Sequence, residues 1–391
     1  MIDVDVVYQK MSTWIQDGPN PTQLEHDVAL RVAAVMNEEL VVTDDRLIET
    51  VLAHLPERLP RYAPEMSFPR SRPRRMRRTP ALRSLIRETD VRPGDLIAPL
   101  FVKEELTEPA PIGSMPGQSQ HTLESLRKEA VEIAERGVRA FILFAVPARK
   151  DPEGSEAWNP DGIGQQAIGA LRAEFGDDAV VIGDLCLDEY TDHGHCGVLN
   201  DLGEVENDAT VELYQRIAVA QANAGAHLVG PSGMMDGQVR AIRTALDGGG
   251  HQDIGILAYA AKFASALYAP FREAAEGAPR FGDRTGYQQD PANLEEALRE
   301  IRTDIEEGAD IVMVKPALPY LDVIRRAKDE TRFPMAAYHV SGEYAMVKAA
   351  AQIGWIDERR VVLELLTSIR RAGADLILTY HAKDAADWLR G

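Results

Sequence analysis

The chain has 391 residues, of which 45% are hydrophobic and 27% are charged, a balance that excludes a disordered or fibrous protein. Its 43 basic residues against 62 acidic ones give a net charge of −19, which disfavours nucleic acid or an anionic membrane as the main partner. With only two cysteines, no apolar run near the ~18 residues of a membrane span and an acidic start unlike a secretory signal, we expect a cytoplasmic protein.

Residues 1–67 are predicted to form a small helical module. Thr22 and Glu25 have the spacing of a capping box, which satisfies backbone donors at a helix N-terminus. Apolar residues then recur with a helical period at 28–36 and again at 48–55. The segment holds no residues with an evident chemical role, so we interpret it as an N-terminal extension for docking or oligomerisation.

Residues 68–90 reverse the charge, because they contain eight arginines and two acidic residues. Such a run by itself suggests nucleic-acid binding. Phe68 is the only aromatic residue in it, however, and the rest of the chain is acidic. We therefore interpret this segment as an arm that pairs with acidic surface on its own or a neighbouring subunit.

Residues 91–391 read as one α/β domain. Eight short apolar runs predict strands at 96–102, 140–146, 179–185, 227–229, 254–259, 310–314, 335–340 and 375–379. Helices are predicted between most of them, for example at 123–136, 209–223 and 294–307, with helix-ending glycines at Gly137, Gly225, Gly308 and Gly373. This alternation predicts a (β/α)₈ TIM barrel. The alternative is a doubly wound open sheet, which usually carries a glycine-rich phosphate loop that is not found after the first strand here.

The carboxyl ends of the predicted strands should form one rim, where TIM-barrel enzymes place their catalytic residues. Strands three to eight all end in polar or ionisable side chains, which a purely structural scaffold does not need. In chain order these are Asp184, Cys186, Asp188, Ser232, Lys262, Lys315, His339, Ser341 and Tyr380.

Lys262 and Lys315 are the most informative residues of this rim, since each follows an apolar strand and the two strands should be neighbours. A lysine amine is a nucleophile only when it is neutral, and burial or a second nearby cation lowers its pKa. The pair therefore suggests Schiff-base chemistry on a carbonyl substrate. The alternative is that each lysine reaches solvent or pairs with an acidic side chain.

A second cluster comprises Cys186, Asp188, His193, His195 and Cys196. Positions 186 and 188 lie on one face of an extended segment, and the following residues could fold back to bring Cys196 close. Two thiolates and one carboxylate with an open fourth position would suit a catalytic zinc ion. Free buried cysteines are the simpler interpretation of the spacing alone, and a disulfide is a further alternative.

Two arginines lie on the long connection after Lys262. Arg272 and Arg284 fall within about 30 residues that separate this strand from the next predicted helix, and such long connections are often active-site lids. An arginine in a lid could hold a substrate carboxylate in a bidentate fork. Two surface arginines are the alternative.

Four segments together resemble the porphobilinogen synthase family, also called 5-aminolevulinate dehydratases. They lie at 184–197, 259–265, 313–317 and 340–346, and the resemblance runs from about Pro69 to the C-terminus. It implies a TIM-barrel lyase that joins two 5-aminolevulinate molecules into porphobilinogen with loss of two waters, in tetrapyrrole and haem biosynthesis. It also implies a homo-oligomer, usually an octamer, in which the N-terminal arm wraps a neighbouring subunit.

The resemblance implies roles for individual residues. Lys315 matches the lysine that binds the first substrate, whose propionate chain becomes that of the product. Lys262 matches the lysine that binds the second substrate. Ser341 and Tyr380 match groups that hold the carboxylate of the first substrate.

Five further positions match the family's substrate site. The groups that hold the second substrate's carboxylate correspond to Arg272, Arg284 and Gln288. Polar residues that line the site correspond to Asp184 and Ser232.

The metal positions depart from the family pattern. Zinc-dependent members carry three cysteines in this loop, whereas here Cys186 and Cys196 match but position 188 is Asp. A carboxylate is a harder ligand than a thiolate, so we expect weaker zinc binding and a broader choice of metal. Glu300 matches a position where some bacterial members bind an allosteric magnesium ion near a subunit interface.

Two other function classes are consistent with parts of the sequence. Another Schiff-base lyase or aldolase could use the same barrel, although such an enzyme needs only one of Lys262 and Lys315. A non-catalytic regulator could bind nucleic acid through residues 68–90, although the net charge of −19 counts against it.

Overall fold

The computed structural model describes residues 68–69 and 71–390. The chain divides into two units, Met1–Arg87 and Glu88–Gly391, which are described separately. The helical module predicted at 1–67 lies outside the described residues.

The described part of the first unit is the arginine-rich arm. It contains a 3-10 helix at Pro73–Arg77 and a short α-helix at Pro80–Leu85. Thr79 caps the α-helix, since its side-chain oxygen accepts a hydrogen bond from Leu82 N at 3.1 Å. Neither helix contains a buried residue.

The second unit is a closed barrel of eight parallel strands. Each strand pairs with the next along the chain, and the last pairs with the first in the register Leu96↔Ile377. The strands are β1 Leu96–Lys103, β2 Ala140–Val146, β3 Val180–Leu185, β4 Leu228–Pro231, β5 Gly255–Lys262, β6 Ile311–Lys315, β7 Met335–His339 and β8 Leu376–Thr379. The predicted TIM barrel is confirmed, and the open doubly wound sheet is wrong because the sheet closes on itself.

Nine helices of more than eight residues are described in this unit. They are α1 Leu123–Glu135, α2 Ile163–Phe175, α3 Asn207–Asn223, α4 Gln238–Gly248, α5 Leu294–Glu307, α6 Leu321–Thr331, α7 Ser341–Gln352, α8 Glu358–Ala372 and α9 Ala382–Arg390. Within the described ranges, no helix is both long enough and apolar enough to cross a membrane.

Alternation along the strands divides the core into two parts. In β1, Leu96 and Leu100 pack in a cluster with apolar residues of the helices, whereas Ile97 and Phe101 pack in a second cluster built mainly from other strands. Successive strand residues point to opposite faces of a sheet. The side chains on one face therefore pack against the helices, and those on the other face fill the interior of the barrel. The filled interior supports a rim on which side chains can be held rigidly.

Glycines end the helices where the sequence predicts them. Gly308 follows α5 with φ 107° and Gly373 follows α8 with φ 125°, a backbone region that residues with a Cβ rarely adopt. Gly137 and Gly225 also have positive φ. The same residue type therefore closes four of the βα repeats before the next strand begins.

Two local features differ from the sequence predictions. A small antiparallel strand pair, Ala110–Pro111 with Ser119–His121, follows β1. The connection after β5 is not free of helix, because a 3-10 turn and the short helix Ala269–Ala274 interrupt it. These segments are too short for a periodic apolar pattern to be recognised.

Candidate active site

The two lysines of the rim lie side by side. Lys262 ends β5, Lys315 ends β6, and the two are direct register partners on neighbouring parallel strands. The register shifts by one residue between Ala258 and Ala261, and without this bulge Lys262 would lie opposite residue 316. Bulges commonly re-aim a side chain next to an active site. Here the bulge aligns the two amine-bearing residues.

Lys315 is enclosed by aromatic rings. It is 5% exposed, and its Nζ lies 4.6–5.2 Å from four ring centroids, those of Tyr259, Tyr268, Phe271 and Tyr338. Burial, together with the charge of Lys262, lowers the pKa of Lys315 to about 7. A substantial fraction of this amine is therefore neutral, and so nucleophilic, near neutral pH.

Lys262 is held by a short polar chain. Its Nζ donates a hydrogen bond to Ser232 O, and Ser232 Oγ donates one to Asp184 Oδ2 at 3.2 Å. Asp184 is 7% exposed, and burial raises its pKa to about 6 although both lysines oppose the shift. A carboxyl group that titrates close to neutral pH beside two amines can accept and return protons.

The 186–197 loop after β3 brings three metal-ligand candidates together. Ligand atoms of Cys186, Asp188 and Cys196 lie within 4.8 Å of one another, and all three residues are buried. Both cysteines are free thiols, so the disulfide alternative is wrong. Two thiols and a carboxylate with this spacing fit the three protein ligands of a catalytic zinc site.

The two thiols differ in acidity. Burial raises the pKa of the Cys186 thiol, while the hydrogen bond from Cys186 lowers the pKa of Cys196 to about 7. Asp188 is ionised, because Arg284 and Lys262 lower its pKa although burial opposes them. Asp188 and Cys196 can therefore be anionic near neutral pH, whereas Cys186 keeps its proton.

The two histidines of this cluster do not join the group of metal ligands. His195 Nε2 lies 3.0 Å from Phe281 O, and His195 Nδ1 lies 3.3 Å from Tyr287 Oη. His193 Nε2 lies 3.2 Å from Pro152 O. Both rings contact neighbouring loops.

The predicted ligands of the second substrate's carboxylate share an unusual property. Arg272 Nε, Arg284 Nε and Gln288 Nε2 are buried donors with no hydrogen-bond acceptor in the described part of the chain. Gln288 and Arg284 are joined by a single turn, closed by the hydrogen bond from Gln288 N to Arg284 O at 2.9 Å. Buried donors usually have partners, so these three suit an anionic ligand.

The predicted ligands of the first substrate's carboxylate lie on β8 and α7. Tyr380 follows β8, is 4% exposed and shares a 2.8 Å hydrogen bond with Tyr338 Oη. Ser341 opens α7, and its Oγ accepts a hydrogen bond from Phe271 N at 3.0 Å. Tyr338 and Phe271 are two of the aromatic residues that enclose Lys315. Tyr380 and Ser341 therefore each contact a residue that lines the Lys315 site.

Glu300 lies on helix α5, and not at the end of a strand. It is half-buried, and burial and the nearby Asp236 raise its pKa. With Asp236 and Glu296 it lines a groove between loops and helix. A cation would relieve the repulsion among these carboxylates.

Some residues of the site carry no recognisable signal in the sequence. Glu189 is 2% exposed, burial and Asp188 raise its pKa, and its Oε1 has no partner within the described residues. Tyr259 and Tyr338 form part of the ring enclosure around Lys315. The alternation of strand residues predicts that these two tyrosines point into the barrel. It does not distinguish them from ordinary core residues.

A second group of possible metal ligands lies outside the rim. Atoms of Glu358, His381 and Asp384 fall within 4.8 Å of one another. Lys348 forms ion pairs with both carboxylates, at 2.5 Å from Glu358 and 3.1 Å from Asp384. The side chain of Lys348 therefore already offsets part of the negative charge of this group.

Comparisons with known proteins identify the family. The family model described as "Delta-aminolevulinic acid dehydratase" matches residues 70–388. The delta-aminolevulinic acid dehydratase of Mycobacterium tuberculosis (strain ATCC 25618 / H37Rv) is 58% identical over 325 residues, which cover 83% of this chain and 98% of that protein. That of Streptomyces coelicolor is 56% identical over 326 residues, 83% of this chain and 98% of that protein.

A solved structure agrees with these matches. The delta-aminolevulinic acid dehydratase (porphobilinogen synthase) of Toxoplasma gondii ME49, in complex with the reaction product porphobilinogen, superposes with a TM-score of 0.79 at 49% identity. The match covers 81% of this chain and 91% of that one. The predicted fold, lyase class and resemblance are thereby confirmed, and the chain belongs to the delta-aminolevulinic acid dehydratase family.

Proposed function

We propose that the chain condenses two molecules of 5-aminolevulinate into porphobilinogen through Schiff bases on Lys315 and Lys262. The observation that carries this mechanism is the register pairing of two buried lysines on neighbouring strand ends. A single-lysine aldolase needs one such residue, whereas a reaction that activates two carbonyl groups needs two.

The neutral Lys315 amine attacks the ketone carbon of the first substrate and forms an imine, with release of one water. Lys262 activates the second substrate in the same way. The two substrate molecules are then joined, both lysines are released as free amines, and the balance is one porphobilinogen and two waters. Asp184 and Ser232 lie beside Lys262, where they accept and return the protons of these steps.

Five side chains orient the two substrates. Arg272, Arg284 and Gln288 hold the second substrate's carboxylate through their buried donors. Ser341 and Tyr380 hold the carboxylate of the first through their hydroxyl groups. Fixing both substrates by their carboxylates places the reacting carbons next to the lysines, which converts a bimolecular reaction into an intramolecular one.

Two metals complete the proposal. Cys186, Asp188 and Cys196 would hold zinc at the rim, and Glu300 would hold an allosteric magnesium ion. A zinc ion held by these residues would supply Lewis acidity towards a substrate oxygen. Asp188 Oδ2 also pairs with Arg284 Nη2 at 2.9 Å. Because this carboxylate is shared with an arginine, we expect it to bind zinc weakly.

The wider biological role is also part of the proposal. The chain acts in tetrapyrrole and haem biosynthesis in the cytoplasm, as a homo-octamer whose arm, residues 68–90, packs on a neighbouring subunit. Its partner in the reaction is the small-molecule substrate, with no role for nucleic acid or membrane. The negative charge and the absence of buried residues in the arm's helices support this assignment.

Borohydride trapping tests the mechanism. Borohydride reduces an imine to a stable amine, so the protein is incubated with isotopically labelled 5-aminolevulinate, reduced, digested and mapped by mass spectrometry. We expect the label on Lys315, with Lys262 labelled when substrate is saturating. Label confined to surface lysines such as Lys128, which is exposed on α1 and pairs with Glu124, would contradict the Schiff-base mechanism.

A further inference from the structure

Two loops at the rim are joined by hydrogen bonds that the proposed reaction does not use. The first is the 186–197 loop, which carries the Cys/Asp/Cys group. The second, the 275–289 loop, carries two of the proposed carboxylate ligands. Arg280 N donates to His193 O at 3.0 Å, so the two loops share a backbone hydrogen bond.

Two glycines allow the backbones of these loops to approach closely. A Cβ at Gly194 would lie 2.3 Å from Ala278 O, and a Cβ at Gly277 would lie 3.0 Å from Asp188 O. A contact of 2.3 Å between a Cβ and a carbonyl oxygen is too short to occur in a protein, so position 194 requires glycine. The loops are therefore packed against each other with no room for side chains between them.

The centre of this contact is a buried ion pair. Arg284 Nη2 donates to Asp188 Oδ2 at 2.9 Å, and both side chains are 5% exposed. The same nitrogen donates to Gly194 O at 2.9 Å and to Gly277 O at 2.6 Å. One end of the guanidinium is thus fixed by three acceptors from both loops.

The Nε–H beside this nitrogen, on the same edge of the guanidinium, is free to bind a ligand. Arg284 Nε is buried and has no acceptor in the described ranges of the chain. A charged hydrogen bond at one edge of a planar guanidinium fixes the direction of its remaining donors. Asp188 is the charged acceptor among the three that fix where the Nε–H of Arg284 points.

We propose that Asp188 is a positioning residue for the second substrate's carboxylate, acting through Arg284 in addition to any role as a metal ligand. This inference rests on the proposed function, because it takes Arg284 as a ligand of that carboxylate. It also gives a reason for Asp at position 188: a carboxylate has two oxygens, so one can pair with Arg284 and leave the second for a metal ion.

The variant Asp188→Cys separates the positioning role from the metal role. A third thiolate should tighten zinc binding, as measured by competition with a chromophoric chelator. It should also raise the 5-aminolevulinate concentration that half-saturates turnover, by about tenfold or more, the usual effect of losing a buried charged hydrogen bond. The concentration that half-saturates the trapped Lys315 adduct should stay unchanged, because it reports the first substrate. Asp188→Glu should recover part of the loss.

If Asp188 serves only as a metal ligand, Asp188→Cys would bind zinc more tightly and keep the half-saturating concentration of the wild type. That result would overturn the inference. A thermodynamic cycle gives a second test: Asp188→Asn should raise the half-saturating concentration in the wild type but add nothing in an Arg284→Gln background. An equal effect in both backgrounds would also overturn it.

A readout independent of turnover is the hydrogen exchange of the peptide covering residues 275–289. Asp188→Asn removes the charge at nearly constant shape, and we expect faster amide exchange in this peptide but unchanged exchange in α2. Unchanged exchange in the 275–289 peptide would contradict the inference. Failure of the proposed function is distinguishable, because it would abolish the Lys315 adduct in the wild type, whereas failure of this inference leaves that adduct intact.

Discussion

At the scale of single residues, burial sets the chemistry of the rim. The Lys315 amine and the Asp184 carboxyl are both shielded from water, and burial shifts their pKa values towards each other, to about 7 and about 6. A base and an acid that titrate close to neutral pH can exchange protons with a substrate at little cost. The aromatic rings around Lys315 therefore contribute to reactivity as well as to shape.

The pKa of Lys315 predicts a pH dependence. Only the neutral amine attacks a carbonyl, so the rate of adduct formation should be constant well above pH 7 and fall about tenfold per unit below it. Rapid mixing, borohydride quenching and intact-protein mass spectrometry measure this rate. In Lys262→Met, which removes the neighbouring cation, the midpoint should move to higher pH. A midpoint near the ordinary lysine value of 10.5 in the wild type would contradict this account.

The carboxylate ligands predict a second effect at this scale. Arg272→Ala and Arg284→Ala should each weaken binding of the second substrate by about 2 kcal/mol or more, a roughly thirtyfold rise in the concentration that half-saturates turnover. Arg302→Ala is the matched control, since Arg302 pairs with Glu330 on the surface. Substrate dependence that is unchanged in both test variants would show that these arginines do not bind the carboxylate.

At the scale of elements, the sequence was enough to predict the strands, their order and the rim. The spacing of apolar residues and the glycines that end helices are local signals, which can be recognised without the structure. The proximity of Lys262 and Lys315 follows from neighbouring parallel strands. Their direct pairing does not, because it depends on a bulge in β5 that only inter-strand register reveals. The Asp188–Arg284 ion pair also escaped prediction, since it joins residues 96 positions apart without a local pattern.

The ligands in the 186–197 loop lead to a prediction about how tightly zinc is bound. Two thiols and a carboxylate shared with Arg284 should bind zinc more weakly than three thiolates, so EDTA should remove zinc readily. Part of the activity should survive, because the lysines and the carboxylate ligands do the covalent and positioning work. Metal analysis after dialysis against EDTA measures this. One zinc per subunit retained through prolonged chelation would contradict the interpretation of Asp188.

At the scale of the whole molecule, the family assignment covers the barrel and leaves the N-terminal residues outside it. The family model begins at residue 70, and the predicted helical extension ends at 67. The chain's net charge of −19 offers acidic surface for an arginine-rich arm. Assembly through residues 68–90 and a cation at Glu300 are both proposed to act on quaternary structure.

Magnesium should therefore act through Glu300 on assembly. We expect magnesium to stimulate turnover and to increase the fraction of the largest oligomer in sedimentation velocity, and Glu300→Gln to lose both responses. Glu306→Gln is the matched control, because Glu306 lies exposed on the same helix. A full magnesium response in Glu300→Gln would place the magnesium site elsewhere.

The central claim is that two lysines form two Schiff bases, and trapping in lysine variants tests it most directly. Lys315→Ala should abolish both turnover and the trapped adduct of the first substrate, because the amine that attacks this substrate is gone. Lys262→Ala should reduce turnover severely yet leave the adduct at Lys315 intact. If Lys315→Ala still turns over, or if Lys262→Ala turns over at the wild-type rate, the two-lysine mechanism is contradicted.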